Sequence, residues 1–565
     1  MKYKRLLGVL IAATLVFSVT GCNASKKTDQ TKAGGVQKEV EISIWNDTAT
    51  TEGIQKNPIA DEIAKKTGVR MNVVKGDTEK FKVLQAGGDL PDIVFVNGTL
   101  LDTKQLISLD DLIAKKGQNI TKSFPQVIDY SKKFLSSDKK TYYLPVHMYQ
   151  SVEGKSQVTK LGSSVAFFGR WDVYEKIGYP KVTNQDDFLN VLKQMQAANP
   201  KTPEGKKVYA LAGWTDWGFW PYYITQFFGN GYTDIGYDQI YNRNTGEIKT
   251  LFTSNEFWDG LKFFNKAYNM GIVDPESFTM KMDNYDAKVK AGQILTTYAS
   301  WWADTYNTWF AANGKKDWGF EVLPNGMPYV PEVYTAEWPL GWQTSYAHAI
   351  TTNCKNPEKA MDLINFMYSE EGAKLVYRGI KGVDWEVVNG VPQMTKEFAD
   401  KSAADTNYSA KEGFEYSRLV GLDSMQILSD GATADLNNMA KEIVKKVTPI
   451  DTKFSQHYGN FEFPGQAIDS LVKDGTYKTP DSKFYLAPSL IKEPSDDTKK
   501  ALSQVEEYIG ANISKIIMAK NDTEFNSIKQ NMIKDMNTKG YDNAVKEQTK
   551  LIDQAQKDAL DFKLK

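Results

Sequence analysis

Cysteine is nearly missing from this chain of 565 residues; only Cys22 and Cys354 occur. That count excludes a disulfide-stapled scaffold. Histidine is as scarce, and His147, His348 and His457 lie too far apart in sequence to carry the spacing of a metal site. Neither sign of charge is in excess: 69 basic residues face 70 acidic ones. This removes the electrostatic footprint of a protein that binds nucleic acid or an anionic membrane. Arginine supplies only six of the basic residues, at positions 5, 70, 170, 243, 378 and 418. A highly acidic polysaccharide is disfavoured as a partner, because the bidentate guanidinium is the preferred reader of carboxylates. Catalytic signatures are missing too: there is no GxSxG elbow, no HExxH helix and no glycine-rich phosphate loop. No cofactor is expected.

Long apolar runs are confined to residues 6–19, which follow Lys2, Lys4 and Arg5. The run is too short to span a bilayer with ordinary flanks, so residues 1–22 read as a secretion signal. It ends in Val19-Thr20-Gly21-Cys22, which resembles the lipobox of bacterial lipoproteins. That resemblance implies cleavage before Cys22 and lipid on its sulfur, which would hold the protein at the outer face of the cell membrane. With Cys22 acylated, Cys354 has no partner for an intramolecular disulfide. Residues 23–40 are polar, contain Gly34-Gly35, and read as a flexible tether.

A chain of this length outgrows a single core, so at least two domains are expected. From residue 41 onward, strand-length apolar stretches alternate with helical ones. Ile42 and Ile44 mark a strand over 41–45. Asn57-Pro58 opens a helix that carries Ile59 and Ile63 and that Gly68 closes. Strands follow at 69–74 and 92–96, the second an unbroken apolar run of the kind a parallel sheet covers on both faces. Further strands are predicted at 142–147, 165–168, 208–212, 294–298, 319–323 and 346–351. Ser254 begins a helix with Phe257, Leu261, Phe264 and Tyr268 on one face, a core stripe. This alternation means α/β architecture with mainly parallel sheets. After about residue 400 it gives way to a loop-rich region, then to amphipathic helices over roughly 497–519, 522–537 and 541–560.

Aromatic residues are plentiful, and they gather at the carboxyl ends of strands, where open α/β sheets bind ligands. Trp45 ends the first strand and Asp47 lies just beyond it; Asn97 ends the strand at 92–96. Trp214 and Trp217 begin the stretch WTDWGFWPYY. In AGQILTTYASWWADTYNTWF (291–310) a strand runs straight into Trp301 and Trp302. Adjacent side chains on an extended backbone point to opposite faces, so one of these rings is expected in the core and the other in a cleft. A ring facing a cleft suits the flat C–H face of a sugar.

The order of elements resembles the extracellular solute-binding lipoproteins of bacterial ABC importers, in the carbohydrate-binding branch that includes maltose- and alginate-binding proteins. The resemblance is carried by EISIWN, FFGRWDVYEKIGYPKVTNQDDF, KAGQILTTYASWW, WGFEVLPNG, AHAITTNCKNPEKAMDLINFMYSEEG and YRGIKGVDWEVVNGVPQMT. It implies a two-lobed periplasmic-binding-protein-like fold (type II) with a helical C-terminal extension. The first lobe would take 41–147 and 345–400, the second 148–344 and 401–565, with crossings near 145–149 and 341–346. The implied protein is a monomeric, lipid-anchored receptor that binds an oligosaccharide between its lobes and hands it to the permease subunits of an importer. It would carry out no chemistry. The implied ligand-binding set is Trp45, Asp47, Asn97, Arg170, Trp214, Trp217, Trp301, Trp302, Trp342 and Trp385, with Trp301 as the stacking platform. Alginate-binding members carry an acidic calcium loop where this chain reads ANPKTPEGKKVYAL. Glu204 is the only carboxylate there, so no metal is expected.

Two other readings stay open. A secreted glycoside hydrolase would need two carboxylates about 5–10 Å apart across the scissile bond. A peptide receptor of a related importer would rely on carboxylates and arginine more than on rings.

Overall fold

The computed structural model describes residues 39–47, 49–96, 101–152, 158–330, 337–342, 346–405, 407–480 and 485–562. The leader, Cys22, nearly all of the tether and Asn97 lie outside those residues. The strands that position the site are β1 (Val40–Trp45), β2 (Gly53–Ile54), β3 (Val69–Val74), β4 (Ile93–Val96), β5 (Leu144–Pro145) and β6 (Val165–Arg170). They are followed by β7 (Tyr232–Gly236), β8 (Gln239–Asn242), β9 (Ile248–Thr250), β10 (Thr296–Ala299), β11 (Phe320–Val322) and β12 (Ala347–Ile350).

The first lobe is built on a six-stranded sheet in the order β2-β3-β1-β4-β12-β5. β1 pairs in parallel with β3, Ile42 beside Met71, and with β4, Ile44 beside Ile93. The alternation seen in the sequence is the alternation of burial: Ile42, Ile44, Val69, Met71 and Val73 enter one core with the helices Pro58–Thr67 and Pro357–Met367. The first of those helices begins as its sequence dictates. The Asn57 side chain accepts the Ala60 N–H at 2.9 Å, Pro58 fills the first turn, and Gly68 ends the helix at φ 71°.

The second lobe centres on the sheet β10-β6-β11, antiparallel at both pairings and buried on every residue. The strand expected at 208–212 runs beside it as an extended segment, tied by parallel bridges from Tyr209 to Ile294 and from Leu211 to Val273. Parallel pairing between the named strands is confined to β3-β1-β4, so the expectation of mainly parallel sheets fails. The reason is topological. A strand that arrives from the other lobe starts at the edge facing that lobe and runs away from it. β6 and β12 are such strands, whereas β1, β4 and β10 run toward the same edge.

Extended segments cross between the lobes side by side. Tyr149 and Trp338 exchange backbone hydrogen bonds of 3.0 and 2.8 Å, and the Trp342 N–H donates to the Val146 carbonyl at 2.9 Å. A third segment joins them: the His147 and Met148 N–H groups donate to the carbonyls of Val420 and Gly421 at 3.2 and 2.7 Å. This third segment moves a boundary. Tyr416, Leu419, Val420, Leu422, Leu428 and Ala434 share a core with Ile42, Ile350 and Val376. The chain therefore stays with the first lobe well past residue 400, and the second-lobe core resumes at Ile450. Tyr416 fixes the docking, since its hydroxyl accepts from Asn57 at 2.5 Å and donates to Gln55 at 2.8 Å.

The C-terminal helices Asp496–Ile517, Asp522–Thr538 and Tyr541–Leu560 match their sequence periodicity. The last of them is seated in both lobes. Tyr541 and Ala544 belong to the second-lobe core, and Ile552 packs on Tyr241 and Ile248 of β8 and β9. One turn later Ala555 joins Val94, Tyr130 and Tyr142 in a first-lobe cluster. Beyond it the Phe562 ring lies 5.4 Å from Phe134, and Lys133 Nζ donates to the Asp561 carbonyl at 3.1 Å. Among the described residues, no helix is long and apolar enough to cross a membrane.

Candidate functional site

The second lobe presents a shelf of indole rings at the edge where the chain arrives from the first lobe. β10 ends at Ala299 (φ −148°, ψ 148°) and the helix Ser300–Ala312 starts at once. Trp301 and Trp302 therefore lie in a first helical turn and not on an extended backbone. They do not point to opposite faces; their ring centroids are 5.4 Å apart. Trp214, 0% exposed, forms the floor, 5.0 Å from Trp302. Trp302 and Trp220 are half-buried above it, 5.9 Å apart. Trp217 and Trp301 are 49% and 46% exposed, an unusual state for the largest apolar side chain. From Trp217 to Trp302 to Trp301 the rings step by 5.2 and 5.4 Å, comparable with the advance per residue of an extended oligosaccharide.

Buried polar groups hold this helix in place. The Asn307 side chain donates to the Phe320 carbonyl at 3.0 Å and accepts the Phe320 N–H at 2.6 Å, pinning the helix to β11. Lys160, on the segment that leads into the second lobe, pairs with Asp304 at 2.5 Å and with buried Asp451 at 2.8 Å. Glu321 lies beside them, fully buried. Burial first, and the charge of Asp451 second, push its carboxyl well above the ordinary range.

On the first-lobe side of the crossing a pocket of about 540 Å³ opens between the 145–149 segment, the helix Glu370–Arg378 and residues 398–446. Phe398, Phe414 and Tyr377 give it apolar walls; His147, Arg418 and Asp423 give it polar ones. The His147 ring stacks on Trp342 at 4.4 Å and 20°, and the Arg418 guanidinium lies over Trp342 and Tyr346 at 5.0 and 5.1 Å. His147 is 5% exposed and sits at φ 60°. Its Nδ1 lies 3.5 Å from Asp423 Oδ2, and neither ring nitrogen makes a hydrogen bond. Beneath it His348 is fully buried. Burial, reinforced by neighbouring His147, pushes His348 down to about 3, so it is neutral across the physiological range.

Several residues expected at the site are elsewhere. Trp45 is buried on Phe81 at 5.1 Å, and a side chain at Gly76 would strike its ring, so it is core. Arg170 is 1% exposed at the far end of β6. Its Nε and Nη2 donate to the two Asp172 oxygens at 2.7 Å each, and its guanidinium lies 3.8 Å over Trp318. Nη1 makes no hydrogen bond but is buried under the Trp318 ring, so the guanidinium is turned into the fold and not toward a cleft. Trp385 is buried with its indole N–H on the Gly379 carbonyl at 3.1 Å and Arg378 over its ring at 5.2 Å. Trp214 is beneath the shelf, whereas Trp342 lines the pocket beside the crossing, between the His147 ring and the Arg418 guanidinium. Trp217, Trp301 and Trp302 come together, and Asp47 is half-buried beyond β1. Sequence reasoning missed Trp220, His147, Arg418 and the two phenylalanines. Arg418 did leave a signal: arginine chosen in a chain that otherwise uses lysine. In the 198–211 stretch Glu204 is exposed, and among the described residues no cluster of His, Cys, Asp and Glu is arranged to hold a metal.

Two α/β lobes joined by crossing strands, with exposed rings and an open pocket beside the crossing, define a solute-binding protein of the periplasmic type. The chain belongs to the bacterial extracellular solute-binding protein family, whose sequence pattern matches residues 49–374. Among its relatives is the fructooligosaccharide ABC transporter substrate-binding protein FusA of Streptococcus pneumoniae serotype 4, 24% identical over 327 residues. That match covers 53% of this chain and 58% of FusA, a little over half of each. Lipoprotein LipO of Bacillus subtilis is 21% identical over 411 residues, 69% of this chain and 74% of LipO. Among solved structures, a human-milk-oligosaccharide (HMO) binding, ABC-transporter-associated solute-binding protein of Bifidobacterium longum infantis superposes with a TM-score of 0.59 at 13% identity. It covers 91% of this chain and 99% of its own, a likeness of fold.

Proposed function

We propose that this protein is a receptor that captures an oligosaccharide between its lobes and delivers it to an ABC-type importer. The observation that carries the reading is the shelf of Trp217, Trp302 and Trp301, two of whose rings stand about half exposed. Rings left in water at the lobe edge have a partner with flat apolar faces to cover, and sugar rings supply such faces while their hydroxyls stay hydrogen-bonded. The names of FusA and of the Bifidobacterium protein support the same ligand class. The lipobox-like run before Cys22 supports a lipid anchor at the outer face of the membrane, beside the permease, and the receptor proposed is a monomer. The relatives are solute-binding proteins, and the role proposed here is binding without chemistry or metal.

A thermal-shift screen of the secreted part against an oligosaccharide panel tests the reading. A ligand present at about 100 times its Kd stabilises by roughly 2.7 kcal/mol. The expected outcome is one such shift, with the saccharide recovered intact after hours of incubation. Cleavage above a no-protein control would instead support the hydrolase.

A further inference from the structure

We propose that the pocket beside the crossing is a subsite for a neutral sugar unit, read through a vicinal diol by Arg418 and Asp423. This rests on the oligosaccharide reading above and names a second contact region for it, apart from the tryptophan shelf.

Arg418 differs from other arginines of the fold. Arg70 pairs with Glu39 and Asp61, Arg170 with Asp172, and Arg378 with Asp430. Arg418 is half-buried and held over Trp342 and Tyr346, and it has no hydrogen bond or ion pair with any described residue. The nearest carboxylate in sequence, Glu415, is taken by Thr50 and Thr51. A stacked guanidinium keeps its five donors at its edge, so Arg418 offers an oriented fork to the pocket that it lines. His147 is the second, independent observation. It lines the same pocket and is almost fully buried, and neither nitrogen makes a hydrogen bond, the nearest group being Asp423 Oδ2 at 3.5 Å from Nδ1. Buried polar groups are nearly always paired, so Arg418 and His147 leave hydrogen-bonding capacity at one pocket for a ligand to take up.

The charge of that ligand follows from the other charged groups of the pocket. Asp423 and Asp435 line the same pocket, and so does Lys446, whose Nζ donates to Asn437 at 2.8 Å, so the two acids offset Arg418 and Lys446 and no excess positive charge is left for an acidic sugar. Asp423 Oδ1 accepts the Met425 N–H at 2.9 Å, which fixes the carboxylate with Oδ2 toward His147. A uronate reaching Arg418 would bring its carboxylate against these two acids. A hydroxyl pair avoids that repulsion, because it accepts from Arg418 and donates to Asp423. Phe398 and Phe414 supply the apolar sides for the ring.

Calorimetric titration tests the subsite with nystose, maltotetraose, cellotetraose, xylotetraose and mannotetraose as neutral probes and tetragalacturonate as the acidic one. Arg418→Lys keeps the charge and loses the fork. It is expected to weaken the neutral probe that binds wild-type protein roughly ten- to hundredfold, the scale of a charge-assisted hydrogen bond or two. Its ligand-free melting temperature should not change. If Arg418→Lys is destabilised, Asp423→Asn provides the same comparison. An unchanged Kd in both variants, with Trp301→Ala weakened, overturns the subsite and leaves the receptor standing. Tighter binding of tetragalacturonate than of any neutral probe overturns the diol. Failure of every saccharide to bind wild-type protein removes the receptor reading, and the subsite with it.

Discussion

Replacing Trp301 by alanine separates a ligand platform from a core residue. The ring has roughly 150–250 Å² of surface. At 46% exposure about half of that is already in water. At about 25 cal/mol per Å², truncation costs at most about 2–3 kcal/mol of stability. No closed cavity forms, because the space opens to solvent. Trp214→Ala, by contrast, empties a fully buried site among five aromatic neighbours and should cost about 3–5 kcal/mol. For binding, the loss of one stacking face should be about 1–3 kcal/mol, on the scale of ring stacking with nucleic-acid bases, which is roughly ten- to hundredfold in Kd. Trp302→Ala should show both effects, since its ring touches Trp214, Trp217, Trp220 and Trp301. Urea unfolding and calorimetric titration on the three variants supply the comparison. A Trp301→Ala protein as destabilised as Trp214→Ala, with ligand affinity unchanged in the folded fraction, would refute the reasoning.

Three further outcomes are expected. His348 binds its proton in the unfolded chain near pH 6.5 and in the fold only near pH 3. Its contribution is therefore complete above pH 6.5 and is lost as the pH falls toward 3, about 1.4 kcal/mol per unit; His348→Asn should flatten that limb of an unfolding-versus-pH series. Cys22→Ser should move the protein from the membrane fraction to the medium, and wild-type protein found wholly in the medium would contradict the anchor. Saturating ligand should reduce the radius of gyration in solution scattering, because the lobes close about the crossing segments; an identical radius would count against closure.

Local chemistry was legible in the sequence, and orientation was not. Asn57, Pro58 and Gly68 bounded a helix correctly because capping depends on neighbours in sequence. The helices after residue 496 announced themselves by periodicity alone. Trp45 could not be placed the same way. A strand's last residue points to either face, and only Phe81 and Gly76, from other elements, put it in the core. Arg170 looked available until Asp172, two residues on, proved to fill its fork. The β-rich TTYA before Trp301 and Trp302 suggests an extended backbone there, and the helix that starts at Ser300 has few sequence signals against it, its cap being an alanine. Arg418 and His147 come together only through the third crossing segment, which no local pattern reveals.

The helix Tyr541–Leu560 puts a strut across the joint. Because one end is packed in each lobe, no change of the angle between lobes leaves its contacts unaltered. Affinity for a ligand that favours closure depends on the fraction of molecules able to close. For the receptor proposed above, Phe134, Ala555 and Phe562 thus sit on a tuning point for closure that is separate from the ring shelf and the pocket. Substitutions there can reset the concentration at which the receptor fills while its specificity, written in the rings and the pocket, stays the same.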